Sequence, residues 1–245
     1  MKTFKISKQK AFTLIEYMVA ITIGLILLAG ITYLFLGMKR STETQSAISN
    51  LQESGRFALY FLTNDIQNAG WAEVEDKGYG VYTSPAFLFA AGQTADGGTV
   101  EVSDSITVRY EADTDCVGGA TGGIAENNYF VQDGQLKCTG NSGSTQPLIS
   151  NVDLAHFMYG IDTDGDSAPN KFVRASAVAP GERESVSAVK IILLLSSDGP
   201  VRQTNAAQSY TIGTEGTYNV TDRKARRIFT TTVTIPNKPA FVITT

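Results

Sequence analysis

From Tyr17 to Met38 the chain runs for 22 residues without a charge. A bilayer core of about 30 Å is crossed by about 20 helical residues, so this segment is long enough to span one. A helix buried in a globular core normally keeps a polar stripe, and YMVAITIGLILLAGITYLFLGM has none. A membrane span is therefore expected. Between Ala11 and Met38 the sole charged residue is Glu16, and a carboxylate at membrane depth is costly unless it finds a partner. Lys2, Lys5, Lys8 and Lys10 precede the span with no acid among them, which predicts a cytoplasmic amino terminus and residues 41 onward outside. Lys39 and Arg40 oppose this orientation, two against four. A cleaved secretory signal has a shorter apolar core, about 7–15 residues.

No proline occurs in the first 84 residues, which leaves that stretch free to form one uninterrupted helix. Beyond the apolar run, Ile48, Leu51, Ala58, Leu59, Leu62, Ile66 and Ala69 recur at steps of three and four, the spacing of an amphipathic helix. Gly70 is placed to take the left-handed cap after Asn68 and Ala69. A helix over residues 13–69 would be about 85 Å long. Phe57 and Trp71 are expected to anchor this helix on a sheet.

The later sequence reads as strands from about residue 79. SITVRYEA and FTTTVTIPN alternate apolar and polar residues, and NYFVQDGQLKC carries Asp133–Gly134, a two-residue hairpin signal. VKIILLLSS is almost continuously apolar, as a strand covered on both faces should be. Residues 117–125 and 139–146 are rich in Gly, Ser and Asn and are expected as loops. The fold class is α+β, with a long helix packed on an antiparallel sheet domain.

The stretch AFTLIEYMVA resembles the processing signal of type IV prepilins: a short basic leader, a small residue, then Phe, Thr, Leu, Ile, Glu and an apolar helix. Residues 51–71 (LQESGRFALYFLTNDIQNAGW), 157–166 (FMYGIDTDGD) and 226–237 (RRIFTTTVTIPN) resemble the PilW family of minor pilins. The resemblance implies a type IV pilin-like fold and a non-enzymatic role in pilus assembly. It divides the chain into a leader (1–11), the transmembrane half of the helix (12–38), its amphipathic half (39–71) and a periplasmic or extracellular β-rich domain (72–245). It also implies that prepilin peptidase cuts between Ala11 and Phe12 and methylates the new amine of Phe12. Family members usually have Gly at the place of Ala11. Major pilins often break the helix with proline, whereas this chain has only Gly24, Gly30 and Gly37 there.

Cleavage gives Glu16 a counter-charge. The Phe12 amine of a neighbouring subunit would neutralise it and set the stagger between subunits, and low dielectric makes such a pair strong. The implied partners are other minor pilins, the major pilin, prepilin peptidase, the inner membrane and a tip adhesin. The implied location is the inner membrane as a single-pass protein, then the pilus at the cell surface. A type II secretion pseudopilin of the J type is the related alternative. A membrane-tethered periplasmic enzyme or binding module is the alternative from a different class.

Losing the four leader lysines leaves 16 basic against 24 acidic side chains, a net −8 in place of −4, which gives no reason to expect DNA. The run DRKARR (222–227) reads as a solvated loop. Cys116 and Cys138, both in the exported part, are expected to form one disulfide. It would close a loop of about 20 residues and stabilise by about 3 kcal/mol in the chain-entropy view. Asp162, Asp164 and Asp166 alternate as calcium ligands do, although the distal Glu of an EF-hand is missing, so the plainer reading is an Asp–Gly turn. No other cofactor is expected. His156, the sole histidine, has Asp153 nearby but no GxSxG, and GGATGGIA lacks the GK[ST] of a phosphate loop.

Overall fold

A computed structural model describes residues 13–71, 86, 87, 94 and 96–237. The chain divides into two units, Met1–Ser46 and Ala47–Thr245. Helix α1 (Leu14–Gln67) provides the described part of the first unit and opens the second. It is long and apolar enough to cross a membrane.

In the first unit every residue from Thr13 to Glu43 is exposed, with Leu14 at 78% and Tyr33 at 80%. Few polar groups lie on this surface, and three of its threonines bond inward. The hydroxyls of Thr22, Thr32 and Thr42 donate to carbonyls one turn back, at 2.9 Å to Val19, 2.8 Å to Leu28 and 3.1 Å to Met38. A hydroxyl satisfied by its own helix can enter lipid at lower cost.

In the second unit most of the amphipathic stripe is buried, although Ile48 at its start is exposed and Leu59 is half-buried. Leu51, Ala58, Leu62, Ile66 and Ala69 join the main core. After two turn residues, Asn68 and Ala69, Gly70 takes φ +76°, the left-handed cap the sequence calls for. Phe57 and Trp71 are 51% and 46% exposed, so they are not the expected anchors. Small residues do that work instead. Gly55 lies against Phe229, and a Cβ there would fall 2.3 Å from the ring.

Three antiparallel sheets replace the single sheet of the sequence reading. The first is the meander β1 (Ile106–Thr114), β2 (Ala120–Gln132), β3 (Gln135–Thr139) and β4 (Thr145–Ser150). Asp133 and Gly134, both at positive φ, make the β2–β3 turn. The next strands are β5 (Val152–Ile161), β6 (Lys171–Arg174), β7 (Val186–Ser196), β8 (Ala206–Ile212), β9 (Gly216–Asp222) and β10 (Arg226–Thr234). The second sheet has the order β10-β7-β5-β6, and β8 and β9 form a separate hairpin.

Strand β7 is covered on both faces, as its apolar run predicts. Val189, Ile191, Leu193 and Leu195 enter the main core, while Ile192 and Leu194 join a second cluster with Ile212, Tyr210 and Tyr218 of the hairpin. The expected loop at 117–125 is shorter than anticipated. Residues 120–125 belong to β2 and pair with β1, with a register shift between Ala112 and Thr114, and Gly122 and Gly123 supply positive φ there. Glycines that looked like a loop instead let an irregular strand end keep pairing.

Candidate functional site

Glu16 lies in the first turn of α1. Its backbone N–H donates to the Thr13 carbonyl at 3.1 Å and reaches the Thr13 hydroxyl at 3.4 Å. Thr13-Leu14-Ile15-Glu16 thus has the T-x-x-E form of a helix start, a signal the sequence reading passed over. The positive end of the helix dipole favours a carboxylate at this place. Ala11 and Phe12, the expected processing site, lie outside the described residues, as does the 1–11 leader.

Cys116 and Cys138 form a disulfide across 22 residues with Cα atoms 6.4 Å apart, linking the end of β1 to β3. The adjacent Asp115 is buried, and its Oδ1 accepts from the amides of Val117 at 3.0 Å and Gly119 at 2.7 Å. Cys116 N–H donates to Asn127 Oδ1 at 2.9 Å.

Asn127 leads to a site that sequence reasoning missed. Its Nδ2 donates to both carboxylate oxygens of Asp65, at 3.1 and 3.3 Å. Tyr129 donates to Asp65 Oδ2 at 2.8 Å, and Tyr110 donates to Oδ1. One buried helix carboxylate therefore gathers three side-chain donors from β1 and β2. Burial pushes the Asp65 carboxyl above the usual carboxylate range, although the three donors pull the other way. Burial and the neighbouring Asp65 raise both tyrosines well above the ordinary phenol. In LTNDIQ the aspartate looks like a solvent-side residue. Only the stripe position it shares with Leu62 and Ile66 hinted otherwise.

His156 is also more than a strand residue, and its acidic neighbour is Asp104 rather than Asp153. Its Nδ1 lies 3.3 Å from Asp104 Oδ2, and its Nε2 lies 3.3 Å from the Val100 carbonyl. Asp104 also accepts from the amides of Gly97 at 2.8 Å and Phe157 at 2.9 Å. No nucleophile joins them among the described contacts, so the cluster fastens residues 97–104 onto β5. Asp153 has another task, shared with Asp222: both hold the buried guanidinium of Arg226, with Asp222 at 2.7 and 2.8 Å. The run DRKARR is thus partly consumed inside the fold.

The oxygens of Asp162, Asp164 and Asp166 lie within 4.8 Å of one another and could serve a calcium ion. Asp162 already accepts from the amides of Gly165 at 2.6 Å and Ser167 at 2.9 Å. Asn170 braces the turn by donating to Asp164 at 3.1 Å. These bonds are those of an Asp–Gly turn.

Two sequence families match the chain. "Type IV Pilus-assembly protein W" covers residues 123–237, and "Prokaryotic N-terminal methylation motif" covers residues 6–32. Among solved structures, a type IV-like pilin from Thermus thermophilus is similar at 16% identity and a TM-score of 0.48, over 77% of this chain and 98% of that one. The GspK–GspI–GspJ complex of the enterotoxigenic Escherichia coli type 2 secretion system aligns at 14% identity and a TM-score of 0.35, over 73% of this chain and 95% of that one. A search of curated proteins gives no significant match.

Proposed function

We propose that the chain is a PilW-type minor pilin that helps start the filament, with other minor pilins, at the pilus tip, a reading supported by the matches to the type IV pilus-assembly and methylation-motif families. The observation that carries this reading is Glu16, the one acid in the exposed apolar run of the helix, held in the first turn three residues beyond the described start. Cleavage between Ala11 and Phe12 frees an amine four residues from Glu16. In the membrane the two charges of one subunit are cramped at the helix start, whereas pairing between subunits neutralises both. The amino terminus stays cytoplasmic before assembly, held by the leader lysines, and the second unit lies outside. Major and minor pilins pack along the exposed helix. The sheets supply contacts with partner pilins and with a tip adhesin, in support of adhesion, motility or DNA uptake.

The test is mass spectrometry of the mature chain purified from pili. A chain beginning at methylated Phe12 is the expected result. An intact Met1, or a cut near residue 38, overturns the reading.

A further inference from the structure

The outer face of the β1–β2–β3 sheet carries a groove of about 500 Å³ that the assembly role leaves unused. Along β2 the odd positions Ala125, Asn127 and Tyr129 are fully buried on the helix side. The even positions Glu126, Asn128 and Phe130 therefore line the other face. Register puts Asn128 between Thr107 of β1 and Thr139 of β3, a hydroxyl–amide–hydroxyl row across three strands. Asn128 Nδ2 donates to Thr107 Oγ1 at 2.6 Å, and the Thr139 and Thr145 hydroxyls are 2.6 Å apart. The half-buried Phe130 ring stands beside this row.

The wall is built as firmly as the floor. Asn141 follows the end of β3, and its side-chain amide takes the place that the strand vacates. Nδ2 donates to the Ile124 carbonyl at 2.8 Å, and Oδ1 accepts from the Glu126 amide at 2.8 Å. One side chain thus completes the β2 edge while leaving open the space a further strand would fill. The groove offers both polar and apolar surface, and its side chains are already held by hydrogen bonds, which lowers the ordering cost of binding.

Its chemistry selects a class of ligand. Among the described residues, the groove's one charged lining residue is Glu126, paired with Arg109 at 3.3 Å, so no lining cation offers itself to a phosphate or carboxylate. Nucleic acid and acidic peptide are therefore poor occupants. Neutral hydroxyls and amides in rows beside one aromatic face suit a molecule with many hydroxyls on one side and apolar C–H bonds on the other. We propose that this groove binds a neutral saccharide, its C–H face against Phe130 and its hydroxyls on Asn128 and Thr139, with the buried Thr107 holding Asn128 in place. About 500 Å³ falls within the range of small-ligand sites and is ample for a disaccharide. The inference does not rest on filament assembly.

The experiment uses the full chain in phosphatidylethanolamine–phosphatidylglycerol nanodiscs. Saturation-transfer NMR is run with lactose, cellobiose, maltose and N,N′-diacetylchitobiose. Saturable, millimolar binding of at least one disaccharide is expected, with transfer strongest at its ring C–H protons. Phe130→Ala should weaken it about tenfold, the scale of one lost aromatic contact, while Phe130→Tyr retains it. Thr139→Arg fills the groove from a half-buried position and should abolish binding by a second route. Absence of saturable transfer from all four sugars overturns the proposal, as does undiminished binding in both Phe130→Ala and Thr139→Arg.

Discussion

From Leu14 to Arg40 every residue of α1 is exposed, whereas Leu51, Ala58, Leu62 and Ile66 of the same helix are buried to 5% exposure or less. The two stretches treat polar atoms differently as well. In the first, hydroxyls turn back on their own helix. In the second, Asp65 reaches out to three donors on the sheet. The first stretch leaves its apolar surface for something outside the chain to cover, and the second closes its surface within the chain. Determinants of assembly should therefore separate from determinants of stability.

Substitution at one site in each stretch tests the separation most directly. Glu16→Leu should still insert in the membrane and leave the melting of the second unit unchanged, yet it should no longer co-purify with partner pilins. Leu62→Ala should do the opposite, costing about 2–5 kcal/mol for the cavity left in a fully buried site. Thermal unfolding followed by circular dichroism, beside pull-down of the partners, reads both. Normal co-purification of Glu16→Leu would remove the assembly role of the carboxylate.

Within the second unit the next effect should come from Cys116–Cys138. Cys138→Ser should lower stability by about 3 kcal/mol, as release of a 22-residue loop implies. Asp65→Ala should cost about 1–3 kcal/mol, because it strands the fully buried Asn127 amide and Tyr129 hydroxyl. Asp65→Asn should recover little of this, since its own amide must face the Asn127 donors. Denaturant melts of the two variants check the claim. An Asp65→Ala chain as stable as the parent would show that water replaces the carboxylate without loss.

How legible these features were depends on their range in sequence. The apolar run, the Gly70 cap and the Asp133–Gly134 hairpin are local, and the structure shows the last two where the residues put them. β7 was readable because burial on both faces leaves no polar alternation. Asp65 and His156 were not, because what decides their burial comes from distant chain: Asn127 is 62 residues from Asp65, and Asp104 is 52 from His156. Phe57 and Trp71 misled for a related reason. Size and apolarity suggested anchors, but the helix approaches Phe229 through Gly55, and a close approach needs a small residue there. The groove wall depends on Asn141 replacing a strand, which composition, rich in Gly, Ser and Asn, expressed only as a loop.

The smallest effect concerns pH, and it separates the two units, since the groups that carry it, His156, Asp65 and Asp222, all lie in the second. Burial tends to lower the His156 pKa, but Asp104 beside it, the Val100 carbonyl and the charge of Glu215 outweigh burial and raise it. Glu215 is itself paired with Arg174 at 2.6 Å, which tempers its share. A histidine whose folded pKa exceeds its unfolded value of about 6.5 gives stability that is complete below pH 6.5 and lost as pH rises through the folded value. Asp65, raised above 3.8, acts in the same direction from a lower starting pH. Asp222, lowered by Arg226, acts oppositely, and its contribution fades only as pH falls below the usual carboxylate range. The melting temperature should therefore fall modestly from pH 5.5 to pH 8 (roughly the interval over which a histidine titrates). His156→Gln should flatten that slope while leaving the Asp65 part. If the parent is as stable at the upper pH as at the lower, or if His156→Gln keeps the full slope, then Asp104 does not raise the His156 pKa and its firm partners are the Gly97 and Phe157 amides.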